Sequence, residues 1–419
     1  MVSKLCKRAW KYYGRYRTHI LFIGLVVVNI ALAGIFLESQ IHTPSKKVLY
    51  PEVAELSSKQ PGFKELSAFF KNLADEKGAP YAFEVLKRIP TFPNIDMHLL
   101  GHIVGDELYK QQGVGGIKVC TQDFRNACSH TIVIGALLEH GVAALPQITE
   151  TCKQAPGGSG AYTMCFHGLG HGVLAFTEYE LPKAIELCKK TGTADYNNRE
   201  YPECVGGTIM EMIAGIHDPV MREEKSKKYF KADDPLYPCD ASFMPKEAQG
   251  ICYTYLTPHL FLAAGGNLAY PTPGVFKKAF QYCAKVPISE MANRMACYGG
   301  LGKEFTVLGA ERDVRIVDTL PDEKLREIAS WCALAEDSQG IMACTSSVLS
   351  SLYWGGENPA TGAIRYCSVL PVDQQDGCFA NLEEIVRTYT HDLLQQKSFC
   401  HSIPASRTDA CTEYFHLKV

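Results

Sequence analysis

The sequence predicts an all-α chain: helical hairpins, each stapled by one disulfide, repeated into an α-solenoid or α/α superhelix after one N-terminal transmembrane helix. Three observations predict it. Sixteen of the 17 cysteines lie beyond residue 119 and fall into eight sequential pairs. The runs between them carry apolar residues at helical three- and four-residue steps, with no sustained strand-like alternation and no Asn-Gly or Asp-Gly hairpin signal between alternating segments. One apolar run near the N-terminus is long enough to enter a bilayer.

The first 17 residues carry Lys4, Lys7, Arg8, Lys11, Arg15 and Arg17 and no acid, so a formal net charge of −3 leaves −9 for the rest (−3 minus 6). That balance gives no nucleic-acid footprint. Residues Ile20 to Leu37 form an apolar run of 18 residues broken only by Asn29, enough at about 1.5 Å per residue to cross most of a bilayer of roughly 30 Å. The basic flank before it and Glu38 after it place residues 1–19 in the cytoplasm, 20–37 in the membrane as a signal-anchor, and the body outside. Ala31-Leu32-Ala33 supplies the alternative, a cleaved signal peptide and a secreted body. Either way the body is exported to the cell surface or periplasm. The cysteines agree, since an even set in an exported chain reads as a disulfide framework, with Cys6 left as a free or acylated thiol on the reducing side.

Residues 38–61 are polar, contain Pro44 and Pro51 and lack sustained periodicity, which predicts a stalk; the helical-repeat domain then occupies 62–419. Phe63, Leu66, Phe69, Phe70 and Leu73 predict its first helix, and Tyr81 to Ile89 a second that Pro90 ends.

From residue 97 the chain repeats. The pairs are 120/128, 152/165, 188/204, 239/252, 283/297, 332/344, 367/378 and 400/411, and their second members recur at 37, 39, 48, 45, 47, 34 and 33 residues. That is the period range of two-helix repeats. The first cysteine of most pairs closes a helix-like run, as in Ala184-Ile185-Glu186-Leu187-Cys188. The second opens another, as in Cys204-Val205-Gly206-Gly207-Thr208-Ile209. Connectors such as Pro156-Gly157-Gly158-Ser159-Gly160 lie between. In plan the chain resembles disulfide-stapled helical-hairpin solenoids of the Sel1-like and tetratricopeptide type, whose consensus residues do not map onto it and lend it no functional residue.

Aligning the second helices brings out the chemistry. His98-Leu99-Leu100-Gly101-His102-Ile103-Val104 matches His167-Gly168-Leu169-Gly170-His171-Gly172-Val173 at both histidines, Leu, Gly and Val, and Cys128-Ser129-His130 matches Cys165-Phe166-His167. Histidines four apart share a helix face, and equivalent positions of neighbouring repeats line up side by side. His98, His102, His130, His167 and His171 are thus expected to converge on a transition metal, Zn, Cu or Fe. Asp106, four residues after His102, is expected as a ligand, an orienting carboxylate or a proton carrier, and Glu211 as a general base bordering the site. Later repeats keep the glycines and lose the histidines, with Gly206 and Met210, then Gly299 and Lys303, at those positions. His140, His217, His259, His391, His401 and His416 have no partner in register and read as structural or surface residues.

No nucleotide-binding Gly-rich loop, Gly-x-Ser-x-Gly elbow, haem attachment signal or glycosylation sequon occurs. Two functions remain: a metal centre, which in an enzyme would activate water or oxygen, or a cell-surface scaffold whose repeats bind a protein partner while the histidines are structural. Neither substrate nor reaction is indicated.

Overall fold

The computed structural model describes residues 50–417 apart from 60, 195, 196, 216, 355 and 356. The basic segment 1–19, the apolar run 20–37 and Cys6 lie outside the described residues, as does most of the stalk. All regular structure in the described part is helical.

The stalk reading needs one correction. Pro51–Ser57 is a helix, α1, and its Glu52 is buried, accepting hydrogen bonds from the Lys77 ammonium and from the Tyr81 hydroxyl at 2.9 Å. Order therefore begins before Gly62. Seven residues are too few to show a helical period, which is why the segment reads as a linker.

The first predicted helix is α2, Phe63–Lys77, with Leu66, Phe70 and Leu73 buried on one face, and the second is α3, Ala79–Leu86. A series of longer helices follows: α4 Met97–Gln112, α5 Ala127–His140, α7 Gly158–Phe176, α9 Glu200–Ala214, α11 Lys246–Tyr255, α14 Met291–Gly309, α16 Ser338–Tyr353 and α18 Val372–Tyr389. Each packs on the next in that order. Shorter helices stand between them: α6 Leu145–Cys152, α8 Leu181–Cys188, α10 Pro219–Tyr229, α12 Thr257–Ala263, α13 Pro273–Cys283, α15 Asp322–Cys332 and α17 Thr361–Val369. The pair α19 Leu393–Ser402 and α20 Ala405–Tyr414 ends the described chain.

All eight sequential cysteine pairs are bridged, with Cα atoms 5.4–5.6 Å apart. Four of the first cysteines, Cys152, Cys188, Cys283 and Cys332, are the last residue of a short helix. Every second cysteine lies in a helix that follows, so each bridge fixes where that helix starts against its predecessor. Disulfides in this number persist in an oxidising compartment and speak for an extracellular or secreted body.

Close packing of the long helices rests on missing β-carbons. A Cβ at Gly170 would sit 2.0 Å from the Cys204 carbonyl oxygen, and one at Gly207 1.9 Å from that of His167, so α7 and α9 meet backbone to backbone. The row also curves back on itself. Arg315 Nη1 donates to the Ile89 carbonyl at 2.9 Å, Met97 N to the Arg312 carbonyl at 3.4 Å, and Arg125 N to Glu357 at 3.4 Å, contacts spanning 215 to 232 residues. Early and late helices thereby share one interior.

Among the described residues, Ala127–Cys152 is apolar and long enough to cross a membrane by length and composition alone. Its α5 part packs between α4 and α7 and buries Ala127 through Ile134, so the apolar run serves the core.

Candidate metal centre

The site is built on α4, α5 and α7, whose histidines point into the shared interior. His102, His130, His167 and His171 are between 0 and 3% exposed and His98 is 9% exposed. Gly168 makes room for this, because a Cβ there would come within 2.5 Å of the His130 Cα.

His98, His102 and His130 lie tightest, with one ring nitrogen from each mutually within 4.8 Å. The Nε2 atoms of His98 and His102 are 3.2 Å apart. Two ligands about 2.0–2.1 Å from a tetrahedral ion are roughly 3.3–3.4 Å from each other, so this pair stands close to coordination distance. The Phe124 carbonyl, 2.7 Å from His98 Nδ1, can only accept, which puts the proton on Nδ1 and leaves the Nε2 lone pair free. That carbonyl is delivered by an unusual backbone. Phe124, Arg125 and Asn126 have φ of 59°, 55° and 64°, and the left-handed region costs Phe and Arg roughly 1–2 kcal/mol each. The same turn carries Arg125 inward.

His167 and His171 extend the cluster. The ring centroids of His130 and His167 are 5.7 Å apart, those of His102 and His171 5.6 Å, and those of His130 and His171 6.0 Å. All five predicted histidines therefore share one buried cluster, and three of them form the tightest group. That group can hold a metal ion.

His217 is the correction here. Read as structural because it has no partner in register, it reaches the cluster from the turn after α9, its ring 6.1 Å from His102 and 6.4 Å from His171. Glu211 explains why it belongs. Oε2 accepts from His171 Nδ1 at 2.9 Å and from His217 Nδ1 at 3.0 Å, while Oε1 accepts from the Tyr179 hydroxyl at 2.8 Å. Both rings thereby hold Nδ1 protonated and turn Nε2, which has no hydrogen-bond partner, away from Glu211. No repeat register locates His217, but its spacing of six residues from Glu211 was available in the sequence.

Burial drives the electrostatics. It lowers the His98 imidazole to about 4 and holds His102, His130 and His167 well below their usual range, with the Met164 backbone opposing this at His130. These rings are neutral at pH 7, the state in which imidazole ligates. Burial pushes Glu211 upward, but the hydrogen bonds from His171 and His217 outweigh it and keep the carboxyl below the usual carboxylate range. His217 shows the converse: burial lowers it, and the Glu211 bond more than restores it. Burial raises Asp106, on α4, to about 6, with His217 and Lys110 pulling the other way.

No protein-family model, curated protein or solved structure matches the chain. His102 Nδ1, both nitrogens of His130, His167 Nδ1 and the Nε2 atoms of His171 and His217 are buried without a hydrogen-bond partner. At about 1–3 kcal/mol for each such group, even three of them weigh against a domain stability of about 5–15 kcal/mol. An ion bound by imidazole lone pairs would satisfy one of the two His130 nitrogens and suits the all-nitrogen donor set.

A cavity of about 120 Å³ opens against the other side, walled by His98, His130 and His167 together with residues from α11, α12 and α14. The Tyr255 and His167 ring centroids lie 4.5 Å apart with the rings tilted by 32°, and the Lys303 ammonium lies 4.5 Å over the Tyr255 ring. Burial lowers Lys303 to about 8 and raises Glu203 to about 7, the latter 3.9 Å from His167 Nδ1. Sequence reasoning missed Lys303, Tyr255 and Glu203 as neighbours of the cluster: Glu203 comes on α9, which packs directly on α7, and Tyr255 and Lys303 come on α11 and α14, the next helices along the row.

Proposed function

We propose that the chain is a membrane-anchored, extracytoplasmic helical-repeat protein with a transition-metal centre, Zn, Cu or Fe, on His98, His102 and His130. The observation that carries this is the approach of three buried, neutral imidazoles to within 4.8 Å of one another. Three histidine ligands leave coordination positions open, the arrangement that catalytic sites keep and closed structural sites lack. His171 and His217, both oriented by Glu211, stand beside the ion. Glu211, with both oxygens engaged, suits an orienting role better than that of a base. Asp106, at about 6, is the better proton carrier near neutral pH. In an enzyme the metal would activate water or oxygen.

The basic segment and the apolar run 20–37 support the anchor, and the period of the cysteine pairs supports the repeats. A second reading, a cell-surface scaffold with structural histidines, draws on the hydrogen-bonded set of His171, His217, Glu211 and Tyr179, which is satisfied on the Glu211 side without any ion.

Elemental analysis of the purified full-length protein separates them. About one equivalent of a transition metal is expected, lost in the variant with His98, His102 and His130 all changed to Ala. Absence of stoichiometric metal from the unmutated protein, expressed with metal supplied, overturns the metal reading in favour of the scaffold.

A further inference from the structure

The cavity beside the histidines is walled partly by Met164, Ile213, Leu268 and Val307 and partly by charged groups that offset one another. Arg312 lies 3.7 Å from Glu304. Arg125 lies against the buried Glu357 carboxylate, which accepts from its backbone N at 3.4 Å and attracts its guanidinium. Lys303 is attracted by Glu304 and Glu203. Asp96 is committed to capping α4, accepting from Leu99 N at 3.1 Å. Each cation of the wall is thus offset by a carboxylate, and a charged guest would bring a charge that nothing there balances. What the wall leaves unmet is a neutral group. Thr257, at the start of α12, lines the cavity, is 1% exposed, and has its Oγ1 buried without a hydrogen-bond partner. Gly300 stands beside it: a Cβ there would lie 2.6 Å from that oxygen, so the glycine leaves the hydroxyl uncovered on that side. A buried hydroxyl of this kind is destabilising until something bonds to it. The volume, about 120 Å³, sets the size of guest. An apolar cavity of roughly 150 Å³ takes up one benzene ring.

We propose that this cavity binds a small uncharged alcohol, an apolar body about the size of one aromatic ring bearing a single hydroxyl, with the hydroxyl bonded to Thr257 Oγ1 and the body against the apolar wall. His98 and His130, two of the three candidate metal ligands, form part of the same wall, so the proposal deepens the metal reading by naming the ligand class of that site. An apolar pocket with one well-placed polar group holds such a molecule by burial and orients it by the hydrogen bond. A hydroxyl can both donate to and accept from the threonine, which suits a partner whose proton is free to rotate.

The test is calorimetric titration of the full-length protein with benzyl alcohol, its hydroxyl-free analogue toluene, and the charged analogues benzoate and benzylammonium. Each is run before and after metal removal by chelation, with heats into protein-free buffer subtracted. Benzyl alcohol is expected to bind at least tenfold more tightly than either charged analogue, and about tenfold more tightly than toluene, in both metal states. Thr257→Val removes the oxygen and keeps the shape, so it should weaken benzyl alcohol about tenfold and leave toluene unchanged. Ala214→Leu, which places a larger side chain on the cavity wall, should abolish binding of both. Metal content and circular dichroism of both variants should match the unmutated protein; if one variant fails to fold, the other decides. Absence of benzyl alcohol binding, equal or tighter binding of benzoate or benzylammonium, or benzyl alcohol binding unchanged in the folded variants overturns the proposal. So does binding that vanishes on chelation yet survives in both variants, which would assign the alcohol to the ion itself. Metal content is measured separately, so the metal reading can fail while the alcohol site stands, and the reverse.

Discussion

His171 and Glu211, 40 residues apart in sequence, are joined by a 2.9 Å hydrogen bond from Nδ1 to Oε2, and the same oxygen accepts from His217. One carboxylate so fixes the tautomer of two rings beside the candidate metal. Glu211→Gln should therefore weaken metal binding about 10–100-fold, because an amide cannot accept from both rings through one oxygen and keep the charge. Competition with a chelator of known affinity measures it. An unchanged affinity in a folded variant would remove Glu211 from the centre.

Acid should unfold the metal-free protein steeply. His98, His102, His130 and His167 all have native values below the unfolded value of 6.5. Below pH 6.5 the unfolded chain binds protons that the native one refuses, so stability is present above 6.5 and falls with pH, for His98 until about 4. Each such ring contributes up to about 1.4 kcal/mol per pH unit. Urea unfolding of chelated protein at pH 7, 6 and 5, with disulfides intact, should show this fall, and His98→Gln should reduce its slope. A flat profile contradicts the burial of neutral rings.

Gly168→Ala should destabilise by about 1–3 kcal/mol, since the new methyl would lie 2.5 Å from the His130 Cα and neither helix backbone can yield freely. Gly115→Ala, where a methyl meets nothing within 4 Å, is the control and should be near neutral. Thermal unfolding of the two variants side by side tests the helix approach.

Much of this was legible beforehand because the signals are local. Pairing of neighbouring cysteines needs only a hairpin, and all eight bridges take the sequential connectivity, the simplest that the spacing allows beside links between neighbouring hairpins. Histidines four apart share a face, so His98 with His102 and His167 with His171 follow from helix geometry. The contributions of His217, Lys303 and Arg125 were not legible. His217 stands in a turn with no register to count, and Arg125 and Lys303 line one cavity from segments far apart in the chain. Helix α1 was missed for a different reason: its order depends on Glu52 finding Lys77 and Tyr81, a tertiary contact that no local pattern announces.

The bridge from Cys152 to Cys165 closes 13 residues and fixes α7 just before His167. Replacing both cysteines by Ser should cost about 3 kcal/mol in the chain-entropy view. Denaturant unfolding gives the stability loss. Peptide mapping without reductant should return eight sequential bridges in the parent and seven in the variant, and any link between neighbouring hairpins would contradict the architecture.

The most direct test is an anomalous-scattering map from crystals of the protein grown with its metal. One peak is expected about 2.0–2.1 Å from a ring nitrogen of each of His98, His102 and His130. A map with no peak there, or with a peak bound elsewhere on the chain, would contradict it.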